Sequence, residues 1–314
     1  MNGRGGKNHL ISSLASWSQP QPGVRIWYAN PLNYNHPLTP NYNTGWRVLE
    51  PGFSVPGNFS PSPVPSPCFG PELSFAAAVA TAHPEQHIAL IKVTQGGTSL
   101  AADWKPPGGY MYVCLTNTVR AALEALAAEG ATHTLRAMIW HQGESDSSGS
   151  AATAYDTNLT QFIAAVRRDL GVTNLPFAVG ELATNKSSIV RQAQLNVAQS
   201  IPYVGFASAD ALQTIDGTHF DSAGVLVMGQ RLAAALEVPP LKFVSAERNN
   251  SNLVLTASGL GAASCRLLSS PSLALPRASW STVATNAFDS QGRLTFICPV
   301  SPSPSPLFYS IQSD

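Results

Sequence analysis

The sequence predicts an α/β protein built on a mostly parallel sheet, followed by a small all-β module. Two observations predict it. Between residues 70 and 237, helical stretches alternate with short apolar runs, the pattern of strands joined by crossover helices. After Pro239-Pro240 the helical periodicity stops, and short strand-like runs separated by turn residues replace it. A length of 314 residues suggests roughly two domains, with bounds at residues 1–238 and 241–314.

The elements follow in order. Val24–Tyr28 and Trp46–Leu49 alternate enough to form a hairpin pair, and Pro51–Pro67 is a long Pro- and Ser-rich surface loop. Helices are expected near 71–82, 111–129, 151–170, 187–199 and 221–236. The apolar runs between them, Ile88–Val93, Leu135–Trp140, Phe177–Val179 and Val204–Ala207, read as buried parallel strands. The last helix is capped by Asp221 or Ser222. In the β module, strands are expected at Leu253–Thr256, Cys265–Leu268, Trp280–Val283, Leu294–Ile297 and Leu307–Ile311, arranged as a sandwich. Turns at Ser258-Gly259 and Asp289–Gly292 separate them, and the Ser-Pro tract Ser301–Pro306 is a loop. No chemical constellation marks this module. Structural appendage, surface attachment and weak glycan binding are its open roles.

Charge is balanced at 18 basic against 18 acidic residues, and charged residues make only 11% of the chain. No basic stripe points to nucleic acid, and no apolar run reaches the ~20 residues that span a bilayer. The low charge, with 25 Pro and 24 Gly, fits a secreted or periplasmic protein, although no signal peptide opens the sequence. The four cysteines Cys68, Cys114, Cys265 and Cys298 lack CxxC spacing, which argues against zinc. Cys265 and Cys298 are either a disulfide or two buried thiols. Metal ligands at useful spacing are missing, so neither metal nor cofactor is expected.

Chemistry is concentrated in three loops, each following a predicted strand. In Asp216-Gly217-Thr218-His219, an acid three residues before a histidine can hold the imidazole in one tautomer. The other ring nitrogen is then available to a hydroxyl nucleophile. No Gly-x-Ser-x-Gly elbow occurs in the sequence. Gly96-Gly97-Thr98-Ser99-Leu100 pairs glycines where backbone N–H groups can face a developing negative charge. Trp140-His141-Gln142-Gly143-Glu144-Ser145-Asp146 offers a glutamine amide beside a glycine turn.

Together with Trp104, Gly70-Pro71-Glu72-Leu73-Ser74-Phe75-Ala76 and Arg191-Gln192-Ala193-Gln194, these motifs resemble the sialate O-acetylesterase and carbohydrate esterase family six branch of the SGNH hydrolases. The resemblance covers roughly residues 1–237. It implies a flavodoxin-like three-layer α/β/α sandwich and removal of acetyl groups from sugars by a metal-free Ser-His-Asp triad. His219 is then the general base and acid, and Asp216 orients it. Gly96, with Gly97, gives an oxyanion-hole N–H, and Gln142 gives a side-chain one. Glu144 braces its loop, Trp104 belongs to the substrate-binding set, and His141 lines the site.

The resemblance also implies where the serine lies. Met1-Asn2-Gly3-Arg4-Gly5-Gly6 fits the tail of the family's first motif, which puts the nucleophile two residues upstream of Met1 and the first central strand ahead of it. On this reading the sequence is N-terminally truncated. Ser99 and Ser145, the serines inside the active-site loops, are expected to brace rather than attack. The expected activity is hydrolysis of acetylated carbohydrate. The alternatives are an inactive carbohydrate-binding relative or a gene fragment, and the oligomeric state is left open.

Overall fold

The structure, a computed structural model, describes residues 16–29, 45–53, 69–201, 203–236, 242–258, 264–275, 279–289, 293–299 and 307–313. The Met1–Gly6 motif tail, Cys68, the Ser301–Pro306 tract, Pro239-Pro240, and most of the Pro51–Pro67 loop and of the turns at Ser258-Gly259 and Asp289–Gly292 lie outside the described residues. Two compact units are formed, one of residues 1–199 and 204–236, the other of 200–203 and 237–314.

The first unit is α/β. Strands β1 (Gln21–Ala29), β2 (Arg47–Leu49) and β3 (Ile88–Val93) form a mixed sheet in the order β2-β1-β3. The expected hairpin pair forms, with β2 antiparallel to β1. Strand β1 also runs parallel to β3, from Val24 opposite Ile88 to Ala29 opposite Val93, so it belongs to the parallel frame as well. Strands β4 (Met138–Trp140), β5 (Phe177–Gly180) and β6 (Val204–Ala207) form an all-parallel sheet in that order. Among the described residues no hydrogen-bonded pairing joins β3 to β4. β4 is shorter than the Leu135–Trp140 run because its partner begins at Phe177, directly after Pro176, which has no N–H to donate.

Among the described residues, six α-helices connect the strands: α1 (Glu72–Ala82), α2 (Tyr110–Ala128), α3 (Gly149–Thr153), α4 (Tyr155–Asp169), α5 (Ser188–Ser200) and α6 (Ser222–Leu236). The helix expected over 151–170 begins earlier and breaks at Ala154, between α3 and α4. The two sheets share one apolar cluster that holds Ile26 and Tyr28 of β1, Leu90 of β3, Ile139 of β4, Ala178 of β5 and Ala207 of β6. Leu73 of α1 and Leu232 of α6 lie in the same cluster. Elsewhere Tyr112 of α2 meets Phe162 of α4 edge to face, and its hydroxyl donates to Asp169 at 2.6 Å. Helices therefore hold the two sheets together.

The α1–α6 crossing is unusually close. Ser74 Oγ donates to the Leu226 carbonyl at 2.6 Å, and a β-carbon on Gly229 would fall 2.1 Å from that hydroxyl oxygen and 2.3 Å from the Pro71 carbonyl. No rotamer relieves a clash with backbone. Gly229→Ala should therefore cost about 2–3 kcal/mol, read as a lowered urea midpoint at unchanged slope.

The second unit is all-β, with antiparallel sheets β11-β8-β7 and β10-β9-β12. Its strands are β7 (Lys242–Asn249), β8 (Asn252–Ser258), β9 (Ser264–Ser270), β10 (Ser281–Ala287), β11 (Arg293–Pro299) and β12 (Phe308–Ser313). β11 alternates cleanly, burying Leu294, Phe296 and Cys298 against Leu255, Leu267 and Ile311. Strand β7 escapes sequence reading because, among the described residues, it pairs only with β8 and turns little more than Phe243 toward the core. Cys265 and Cys298 lie buried in this core as thiols. Burial also pushes the Cys298 thiol up.

Candidate active site

The loop from β6 to α6 carries the acid and the histidine. It is closed at its base by Ile215 N–H donating to the His219 carbonyl at 2.9 Å and Asp221 N–H to the Gln213 carbonyl at 3.0 Å. Gly217 at its tip has φ +73°, the left-handed region that costs glycine nothing. The turn aims both following N–H groups at one carboxylate. Asp216 Oδ1 accepts from Thr218 N–H at 3.0 Å and His219 N–H at 2.9 Å. His219 Nδ1 lies 2.8 Å from Asp216 Oδ2 and 3.0 Å from Oδ1. A carboxylate can only accept, so Nδ1 carries the proton and Nε2 presents its lone pair. Both side chains are about one-third exposed, open to solvent and to a ligand. Beyond this loop Asp221 caps α6, accepting from Gly224 N–H at 2.7 Å.

The loop after β3 presents Gly96 and Gly97 at the surface, Gly97 with φ +75°. Its far side is tied down. Asp146, fully buried, accepts from Leu100 N–H at 2.8 Å and Ala101 N–H at 3.0 Å. Trp104 is only 5% exposed and packs edge to face on Trp140. Its indole N–H donates to Thr98 Oγ1 at 3.0 Å. Trp104 thus supports the glycine turn from beneath, and little of its ring is left for a substrate to touch.

The loop after β4 is wired to the glycine loop. Gln142 Nε2 donates to the Thr98 carbonyl at 3.0 Å and to Asp146 Oδ2 at 2.6 Å, which uses both amide hydrogens. An amide given an oxyanion contact by the sequence reading is here a brace between two loops. The Gln142 carbonyl accepts from Tyr155 Oη at 2.5 Å and from Gln194 Nε2 at 3.0 Å. Gly143 has φ +150°, and a β-carbon there would meet Val190 Cγ1 at 2.8 Å, so α5 can pack directly on this loop. His141 then reaches the third loop, its ring 5.7 Å from that of Phe220, next to His219. A Gly217 β-carbon would lie 3.0 Å from Asn185 Nδ2, on the segment leading into α5. The three loops singled out in the sequence are therefore linked by direct contacts at the carboxyl ends of β3, β4 and β6.

A family model described as carbohydrate esterase, sialic acid-specific acetylesterase, matches residues 1–237, the span that contains all three loops. The chain belongs to that family. Solved structures agree at the level of fold. A protein from Arabidopsis thaliana superposes with a TM-score of 0.57 at 23% identity, covering 74% of this chain and 92% of its own. NanS gives 0.53 at 16% identity, covering 71% of this chain and 89% of its own. A carbohydrate acetylesterase from Xanthomonas citri gives 0.51 at 15% identity, covering 99% of this chain and 73% of its own. No curated protein matches the sequence.

The contacts also bring out site residues that the sequence reading passed over. The sequence reading gives Glu144 the bracing role, but the described contacts show Asp146, two positions on, at the end of the same 3-10 turn, making the bracing bonds. The signal was present, since Asp146 closes the quoted motif. Gln194, fully buried, likewise lies in the quoted Arg191–Gln194 stretch, bonding the Gln142 carbonyl and the Leu182 N–H. Glu181 is a second buried carboxylate, accepting from Ala209 N–H at 2.7 Å and paired with Arg191 at 2.6 Å. It fixes the end of β5 to the segment after β6. Ser145 is exposed and the Ser99 N–H donates to Asp103 at 2.7 Å; neither serine hydroxyl bonds His219 among the described residues. No group of three or more His, Cys, Asp or Glu among the described residues could hold a metal.

His141 is the titrating group with a clear consequence. Its Nε2 faces the Glu181 carbonyl at 3.1 Å, which only accepts, so Nε2 carries the proton. Its Nδ1 is buried with no hydrogen-bond partner. Desolvation pushes the imidazole down to about 4, against a weaker opposing pull from Glu144. In the unfolded chain a histidine titrates near ~6.5. The folded pKa is the lower one, so the unfolded state binds the extra proton first. Stability is unaffected above pH ~6.5, falls between ~6.5 and about 4, and levels off below. The expected loss is about 3 kcal/mol across that window. His141→Phe should flatten the histidine part of the curve, as measured by urea unfolding at stepped pH.

Proposed function

We propose that the chain is a carbohydrate O-acetyl ester hydrolase working by Ser-His-Asp chemistry on a flavodoxin-like three-layer frame. The observation that carries this reading is the Asp216–His219 pair, at 2.8 Å, on a loop linked through the β4 loop to the glycine turn at Gly96-Gly97. Asp216 holds Nδ1–H, so Nε2 is the base that takes the serine hydroxyl proton and later returns it to the sugar alkoxide. Gly96 and Gly97 stand where N–H groups would stabilise the tetrahedral oxyanion. Gln142 acts through the loop it braces, and would serve as a donor itself only by releasing Thr98 or Asp146. Water then frees acetate.

The serine belongs to the Gly-Gln-Ser-Asn motif whose tail Met1–Gly6 resembles. The low charge of the chain supports export to the periplasm or outside the cell. No described helix is long and apolar enough to cross a membrane. The test is 4-nitrophenyl acetate hydrolysis by the chain carrying that motif ahead of Met1. Folded, inert protein, indifferent to His219→Ala, would overturn the esterase reading in favour of a carbohydrate-binding relative.

A further inference from the structure

We propose that Glu181 and Arg231 are positioning residues for His219: together they fix the root of the histidine loop, residues 207–212, and so set where the imidazole stands relative to the glycine turn. That role rests on the esterase reading; the bonds that fix the loop stand without it. Glu181 follows β5 directly and is buried. Its N–H donates to the Ala207 carbonyl at 2.9 Å, at the end of β6. Its carbonyl accepts from His141 Nε2 at 3.1 Å, just beyond β4. In the side chain, Oε2 accepts from Ala209 N–H at 2.7 Å and from Ser208 Oγ at 3.2 Å, and Oε1 accepts from Arg191 of α5 at 2.6 Å.

Arg231 lies on α6, the helix that the histidine loop runs into. Its Nη1 donates to the Ser208 carbonyl at 2.7 Å and to the Asp210 carbonyl at 2.9 Å. The helix at the far end of the loop is thus tied back to the near end. Within the root, Asp210 N–H donates to Ser208 Oγ at 3.0 Å and Leu212 N–H to the Ala209 carbonyl at 3.1 Å. Ala211 has φ +62°, a left-handed conformation that a β-carbon disfavours and that persists where the surroundings over-determine it. A buried carboxylate and a guanidinium, both bonded to the residues just before Ala211, supply that constraint.

The consequence for His219 follows from the stiffness of the loop itself. Residues 213–221 are joined across their base, Asp221 N–H to the Gln213 carbonyl and Ile215 N–H to the His219 carbonyl, and the Asp216–His219 pair lies inside that piece. The piece therefore moves as one body, and its two bearings are the root and α6. If either bearing shifts, Nε2 is carried from its working place while Asp216 still holds Nδ1–H. The imidazole keeps its tautomer and loses its aim. A misplacement of about 1 Å at a reacting group costs on the order of 100-fold in rate. Phe220 reports such a motion, since it follows His219 in the chain and its ring lies 5.7 Å from that of His141.

The experiment uses two variants. Glu181→Gln keeps the size of the side chain but cannot satisfy Ala209 and Arg191 together, and Arg231→Met keeps the stem and removes both carbonyl bonds. In the chain that carries the motif serine, each should lower kcat for 4-nitrophenyl acetate by ~10–100-fold, with KM within about twofold and an unchanged circular dichroism spectrum. Two further signals need no turnover. In Arg231→Met, which alters bonds to Ser208 and Asp210 rather than to His141, the His141 ring resonances should shift as Phe220 moves, while His219 keeps its Nδ1–H tautomer. In Glu181→Gln the Ala209 amide should exchange at least ~10-fold faster. Unmoved His141 resonances in Arg231→Met, or a protected Ala209 amide in Glu181→Gln, would each overturn the proposal. Should Glu181→Gln fail to fold, Arg231→Met decides alone. Variants that match an active parent in kcat would overturn the proposal and leave the esterase reading standing. An inert parent with both signals displaced would sink the esterase reading and leave the hold on the loop in place.

Discussion

Replacing His219 with alanine is expected to lower kcat for 4-nitrophenyl acetate by roughly 10⁴–10⁶-fold in the chain that carries the motif serine. At ~1.4 kcal/mol per decade this is about 5–8 kcal/mol of transition-state stabilisation, taken away with a single imidazole. The size follows from the geometry. Asp216 commits Nδ1 to its proton, so Nε2 is the ring's one basic position, and nothing in the described site is placed to replace it. The fold should barely register the change. The side chain is 33% exposed, and the loop is held by backbone bonds at Ile215 and Asp221 that alanine keeps. Urea unfolding should therefore shift by less than ~1 kcal/mol. Asp216→Asn sharpens the test. An amide hydrogen would face Nδ1 and favour the opposite tautomer, leaving Nε2 protonated, with kcat down roughly 10⁴-fold at little change in KM. A His219→Ala variant within tenfold of the parent would remove His219 from the chemistry.

Much of this site could be read from sequence because its residues cluster on three short loops. Asp216 and His219 are three positions apart on a single loop, so their pairing depends on one turn, and Gly217 announced that turn. Helix and strand periodicity located the frame for a similar reason, since Ile88–Val93 and Val204–Ala207 are short apolar runs between helical stretches; β6 is buried at both ends, and β3 is only half-buried. What escaped was whatever depends on a distant partner. β1 pairs with β3 across more than sixty residues of chain, and no local pattern encodes that. Gln142 could be read as a donor but not as a donor already engaged, because Thr98 lies 44 residues away. Trp104 invites a reading as a sugar platform from its type, and its burial against Trp140 and Phe162 is a tertiary fact. The bracing acid was placed at Glu144 rather than Asp146 because a one-turn 3-10 helix, Glu144–Asp146, decides which carboxylate points inward.

That inward carboxylate carries the second large expectation. Asp146→Ala should destabilise the first unit by about 3–5 kcal/mol and lower kcat by roughly 10²–10³-fold. Three donors converge on the carboxylate, Leu100 N–H, Ala101 N–H and Gln142 Nε2, in a place with no solvent access. Alanine leaves all three unsatisfied, at ~1–3 kcal/mol each before relaxation, and the loop must open to let water reach them. Opening is what links stability to catalysis. The same residues that lose their anchor continue into Gly96 and Gly97, whose N–H groups must be set in place before charge develops if they are to help. Asp146→Asn separates the two effects. It keeps volume and one acceptor oxygen but turns an NH₂ toward a backbone donor, so stability should fall by only about 1–2 kcal/mol while the loop is still mis-set. Hydrogen exchange reads this without any turnover. Leu100 and Ala101 amides should exchange at least ~10-fold faster in Asp146→Asn, with protection in β5 and α6 unchanged. If those two amides keep their protection, the carboxylate does not hold the loop, and the link from Asp146 to the glycine turn is broken.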